Sequence, residues 1–199
     1  VSDYLFREKP SKAGAPLFFV FHGTGGDENQ FFALAEQLLP GAHVVAPRGD
    51  VSEGGALRYF RRTGEGVYDM DDLRQRTAKM AGFVQARKKD GQKVVGLGYS
   101  NGANILASVQ FAAPELFDAS ILMHPLIPFI PADAGFSGKR VLITAGQRDP
   151  MASTQTTQDL HDYFVRNGAE AAIQWHAGGH ELRQEELLAA QRFLEPLRG

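Results

Sequence analysis

The chain has 199 residues, of which 43% are hydrophobic and 22% charged, an ordinary globular composition large enough to bury a core. A net charge of −2 leaves no basic footprint for nucleic acid or an anionic membrane surface, and zero cysteines exclude disulfides, thiolate metal sites and a cysteine nucleophile. No apolar run approaches the ~18 residues of a membrane-spanning helix, and residues 1–12 are too polar for a signal peptide, so a cytoplasmic protein forming a single domain over residues 1–199 is expected.

A short apolar run, a glycine-bearing turn and a helical pattern recur along the chain. Residues 4–7 offer a possible edge strand. Residues 16–21 (PLFFVF) read as a buried strand, followed by His22-Gly-Thr-Gly-Gly and a helix over 29–39. The strand 43–46 runs into a long irregular segment, 47–68. A helix over 69–89 follows, with Leu73, Met80 and Val84 on one face, acids in its first turn and Arg87, Lys88 and Lys89 in its last, as a helix dipole favours. Strand 93–98 leads through Tyr99-Ser100-Asn101-Gly102 into a helix over 103–111. Further strands are expected at 119–124, 140–145 and 171–175, with helices over 154–167, stopped by Gly168, and over 181–197. This alternation predicts an α/β fold, a mainly parallel sheet of about seven strands flanked by helices on both faces.

Gly98-Tyr99-Ser100-Asn101-Gly102 is G-x-S-x-G, a common pattern by itself but placed here where a strand ends and a helix begins, as a nucleophile elbow requires. An ordinary serine N-cap is the alternative. A serine hydroxyl needs an adjacent base oriented by a carboxylate, and in hydrolases of this topology the acid and then the histidine follow the serine. His22 and His43 precede Ser100, His161 lies in a helical pattern, and His124 precedes every suitable acid. His176 is still attached to the last strand. His180, after Gly178-Gly179 and before the final helix, is the favoured base. Asp149, just past strand 140–145 and stiffened by Pro150, is the favoured acid. Asp159 and Asp162 fall within a helix, and Asp133 lies at the other end of the sheet. An oxyanion hole needs two backbone N–H groups, for which Asn101 and Thr24 are the candidates. The glycines around Thr24 match neither common phosphate-loop pattern, and His22 reads as a structural hydrogen-bonding residue.

Taken in order, His22-Gly-Thr-Gly-Gly-Asp27, Gly98-Tyr-Ser-Asn-Gly102, Arg148-Asp149-Pro150 and Gly179-His180-Glu181 resemble the phospholipase/carboxylesterase family, which includes acyl-protein thioesterases. Arg58-Tyr-Phe-Arg-Arg62 with Glu65-Gly66 and Asp69…Asp72-Leu73 is similar to its bacterial branch of hydroquinone-associated esterases. The resemblance covers essentially the whole chain. It implies a compact α/β-hydrolase fold without a cap domain, Ser100, Asp149 and His180 as catalytic triad, and Thr24 and Asn101 as oxyanion-hole donors. No cofactor or metal is implied. Acyl-protein thioesterases carry glutamine where this chain has Asn101, which turns the expectation away from a protein-acyl substrate.

Two segments are expected to shape the pocket. The glycine-rich stretch 49–68 carries Arg58, Phe60, Arg61 and Arg62, and the apolar stretch 124–131 carries Leu126 and Ile127, with Met151 nearby. The expected function is a serine carboxylesterase acting on small-molecule esters, with no nucleic-acid or membrane partner and with a homodimer left open. A thioesterase or lysophospholipase using the same triad, or a non-catalytic α/β-hydrolase-like binding protein, are the alternatives.

Overall fold

The computed structural model describes residues 4–199. In chain order, β1 (Phe6–Lys9) and β2 (Leu17–Phe21) precede α1 (Phe32–Leu38) and β3 (His43–Pro47). Four short strands follow, β4 (Val51–Glu53), β5 (Ala56–Arg58), β6 (Arg62–Gly64) and β7 (Val67–Tyr68), and then α2 (Met70–Gln85). The second half comprises β8 (Val94–Tyr99), α3 (Asn101–Ala112), β9 (Ala119–Met123), β10 (Arg140–Gly146), α4 (Thr154–Arg166), β11 (Glu170–His176) and α5 (Gln184–Leu194), with a 3₁₀ turn over Glu195–Leu197.

Seven strands form one sheet in the order β1-β3-β2-β8-β9-β10-β11. Only β1 runs antiparallel to its neighbour, which makes the predicted edge strand real but places it at Phe6–Lys9. The interior strands β2 and β9 are buried at every position, as expected of a parallel sheet covered on both faces. One face packs Phe19, Phe21, Met80, Phe83, Leu106 and Phe164 beneath α2, α3 and α4. The other packs Phe18, Val20, Leu38, Leu97, Met123 and Leu194 beneath α1 and α5.

Two expectations need correction. The segment 47–68 is not irregular, because β4 pairs with β5 and β6 with β7 in two small antiparallel hairpins. Strands of two or three residues carry too little periodicity to show in a sequence. The helix expected over 69–89 begins after Asp69, whose side chain accepts from Asp72 N, and ends at Gln85. Arg87, Lys88 and Lys89 therefore lie beyond it. The Arg87 guanidinium turns back to donate to Phe83 O at 3.0 Å and stacks 3.6 Å from the Phe83 ring.

The chain leaves β2 toward β3 on one side and reaches β8 on the other, so the loops after β2 and β8 part at the carboxyl edge of the sheet. That crevice is where open α/β sheets place their ligands. Phe83 anchors the sheet beneath α2, fully buried and edge-on to Tyr4, Phe6 and Phe19. Phe83→Ala is expected to lower the unfolding free energy by about 3–5 kcal/mol in urea titration; a loss under about 1 kcal/mol would show that this packing is not what holds α2 down.

Candidate active site

The carboxyl edge of the sheet gathers Ser100 from the β8–α3 turn, Asp149 from the loop after β10 and His180 from the loop after β11. Ser100 adopts φ 53° and ψ −116°, a conformation that costs a non-glycine residue about 1–3 kcal/mol and lifts its side chain above the sheet. The flanking residues are glycine for steric reasons. A Cβ on Gly98 would enter the Gly102 backbone, and one on Gly102 would meet the Phe21 and His22 carbonyls.

His180 Nε2 lies 2.8 Å from Ser100 Oγ, and His180 Nδ1 lies 2.6 Å from Asp149 Oδ2. The carboxylate therefore fixes the Nδ1–H tautomer and leaves Nε2 free to accept the serine proton. The two loops carrying these residues are fastened together. Gln147 N donates to His176 O and Arg148 N to Gly178 O, and a Cβ at Gly146 would overlap the 178–179 backbone. Tyr99 supports the imidazole from below, its hydroxyl donating to His180 O at 2.7 Å.

Thr24 and Asn101 both line the cavity in front of Ser100, and among the described residues neither backbone N–H has an acceptor. The Asn101 side chain accepts from Tyr59 N at 2.7 Å and so ties the hairpin segment to the elbow. Tyr59 also donates to Pro47 O and accepts from His22 N. His22 Nε2 accepts from Gly49 N while Nδ1–H donates to Gly23 O, and burial lowers its pKa. His22 is a neutral structural residue here, in agreement with the sequence.

The cavity measures about 200 Å³. Arg58, Leu126 and Met151 line it, together with Arg62, Tyr68 and Asn104. Arg58 is 3% exposed and donates to Thr24 Oγ1 at 2.7 Å and Phe60 O at 3.1 Å. Arg58 and Arg62 share the single carboxylate of Glu53. Phe60 and Ile127 do not reach this cavity. Phe60 is fully buried behind it, edge-on to Tyr68, because the chain past Arg58 turns its aromatic rings into the core. Ile127 faces a separate groove with Pro128, Phe129 and Tyr163, since the chain reverses its facing after Leu126.

The structure adds three residues that sequence reasoning set aside or passed over. His124 Nδ1 lies 3.2 Å from the same Asp149 Oδ2, and its Nε2 lies 2.5 Å from Glu186 Oε1 on α5. Glu186 also accepts from Thr144 Oγ1 at 2.7 Å and Arg183 N at 2.6 Å, and His176 Nε2 stands 3.3 Å from its Oε2. The signal for Glu186 was its place on the buried face of α5, in line with Ala189, Ala190 and Leu194. His124, His176 and Glu186 offer three ligand atoms within 4.8 Å of one another. The 2.5 Å His124–Glu186 separation suits a hydrogen bond, whereas two ligands ~2.1 Å from one tetrahedral ion stand more than 3 Å apart.

Burial would push the His124 pKa down, but hydrogen bonds to Asp149 and Glu186, with their charges, outweigh it and raise it from 6.5 to about 9. Burial would likewise raise both carboxylates. The hydrogen bonds from His124 and His180 to Asp149, and from His124 and Thr144 to Glu186, instead hold them below the usual range.

Comparison with known proteins agrees with this architecture. The family model described as dienelactone hydrolases matches residues 9–186. The chain belongs to the dienelactone hydrolase family. MhqD of Bacillus subtilis (strain 168), a hydrolase by name, is 36% identical over 182 residues, covering 89% of this chain and 91% of that protein. The crystal structure of Atu2452 from Agrobacterium tumefaciens str. C58, a protein of unknown function, superposes with TM-score 0.94 at 52% identity, covering 98% of this chain and 97% of that one. The Bacillus cereus carboxylesterase superposes with TM-score 0.92 at 33% identity over 98% and 94% of the two chains. The matching family carries a different name from the one the motifs resemble, yet both describe α/β-hydrolases, and the chain is a carboxylic ester hydrolase of that fold. No helix among the described residues is long and apolar enough to cross a membrane.

A histidine whose folded pKa is raised adds stability that is complete below its unfolded value of ~6.5 and is lost as pH climbs through the folded one. The unfolding free energy is therefore expected to fall by ~1–3 kcal/mol between about pH 6.5 and 9, with Glu186→Gln bringing the loss on at lower pH. Urea titrations across this range that show no decline would contradict a charged His124.

Proposed function

We propose that this family member is a serine carboxylesterase acting on small carboxylic esters through Ser100, His180 and Asp149. The observation that carries the reading is the unbroken hydrogen-bonded line from Ser100 Oγ through His180 to Asp149 at 2.8 and 2.6 Å. Ser100 Oγ attacks the ester carbonyl while His180 Nε2 takes its proton. The carbonyl oxygen becomes an oxyanion facing the free N–H groups of Thr24 and Asn101. Collapse breaks the bond to the alcohol oxygen, which leaves with the proton from His180, and the acyl group stays on Ser100. A water then gives its proton to His180 and attacks the acyl carbonyl, releasing the acid and restoring Ser100–OH. Asp149 holds the imidazole in register and stabilises the imidazolium formed in each half.

The cavity supports small substrates, since ~200 Å³ lies below the 300–1,000 Å³ common for drug-sized ligands. Its polar wall, where two arginines meet one carboxylate, suits an ester bearing a negatively charged or strongly polar substituent. A long-chain thioesterase or lysophospholipase would need a longer apolar channel than these walls enclose.

Ser100→Ala is expected to fold normally and to lose about a thousandfold or more in kcat on a p-nitrophenyl ester. In the unsubstituted protein kcat/KM should fall by about tenfold or more from acetyl to octanoyl esters. Retained turnover in Ser100→Ala would sink the nucleophile, and a flat or rising acyl series would sink the small-ester reading.

A further inference from the structure

The triad does not end at Asp149. Asp149 Oδ1 accepts from Met151 N at 2.8 Å and Ala152 N at 3.3 Å, while Oδ2 faces His180 Nδ1 at 2.6 Å and His124 Nδ1 at 3.2 Å. Four donors on one buried carboxylate favour its ionised form. Glu186 is equally supplied, with Thr144 Oγ1 and His124 Nε2 on Oε1 and with Arg183 N and His176 Nε2 on Oε2. His176 accepts from Gly178 N at Nδ1, so its proton sits on Nε2 and points toward Glu181 O and Glu186. With Asp149 and Glu186 both ionised, His124 meets an acceptor at each ring nitrogen and satisfies both by carrying two protons.

We propose that His124 is a positioning residue of the esterase reaction, an imidazolium clamped between Asp149 and Glu186 that fixes the triad carboxylate. The proposal rests on the Ser100–His180–Asp149 reading above. His124 shares an oxygen with His180, so its removal frees Asp149 to rotate about the remaining contacts. The two imidazoles stand close, with ring centroids 5.3 Å apart. The groups facing His124 are Asp149 after β10, His176 and His180 at and beyond the end of β11, Glu186 on α5, Thr144 of β10 and Tyr99 of β8, edge-on at 5.9 Å. Among the described residues no Lys or Arg side chain pairs with Asp149 or Glu186. His124 is therefore the nearest fixed positive charge to the triad acid.

The backbone at His124 has φ 52°, in the left-handed region where asparagine is among the best-tolerated residues. His124→Asn therefore keeps an N–H for Asp149 while deleting the cation. Expected is a kcat fall of about tenfold or more with KM little changed. Glu186→Gln, which leaves every triad side chain in place, should lower kcat severalfold and release the His124 Nε2 proton at lower pH. Ring ¹⁵N NMR of the resting protein reads the protonation directly, and both His124 nitrogens should carry protons from about pH 6 to 8.

A singly protonated His124 at neutral pH overturns the proposal. So does a folded His124→Asn with unaltered kcat. If His124→Asn does not fold, a Glu186→Gln protein with unchanged kcat and unchanged His124 resonances overturns it instead. Absence of ester turnover in the unsubstituted protein removes the esterase reading and the positioning role with it, while the NMR result still decides whether the buried imidazolium exists.

Discussion

The site depends on one buried carboxylate. Asp149 is 2% exposed at its side chain, and an ionised group there is tolerable only because four donors converge on it. Two of those donors are backbone N–H groups of its own loop, which fix the carboxylate from behind. The other two are the imidazoles of His180 and His124, one leading to Ser100 and the other to Glu186. Each acid of this network is opposed by a histidine, so charges that would be costly alone form a balanced, directional chain.

The backbone around that chain is equally constrained. Ser100 can stand above the sheet only where Gly98 and Gly102 let β8, α3 and β2 approach without side chains between them. Gly146 does the same for the loops that carry Asp149 and His180. The strand order places these turns together at the crevice where the chain reverses direction across the sheet. The hairpins of residues 51–68 then lie against the elbow through Asn101 and Tyr59 and bring Arg58 and Arg62 to the cavity wall.

The centre of the sheet and the line of Ser100, Asp149 and His180 were legible because the interior strands are dense apolar runs and each of these residues follows a strand at its carboxyl end. Leu17–Phe21, Val94–Tyr99 and Arg140–Gly146 announce themselves this way. The hairpins were not, being too short to show alternation. Phe60 and Ile127 were misplaced because a composition-level view of a pocket wall cannot tell which way neighbouring side chains turn. His124 was set aside on chain order, a rule that selects a candidate base but is silent about a second histidine on the same acid. Glu186 was hidden among the acids that normally open a helix, although its spacing from Ala189, Ala190 and Leu194 sets it on the buried face of α5.

Labelling with a fluorophosphonate probe, followed by peptide mass analysis, tests the central claim most directly. A single adduct on Ser100, lost when His180 is replaced by alanine, is the result this account predicts. No adduct, or one on any other residue, would contradict it.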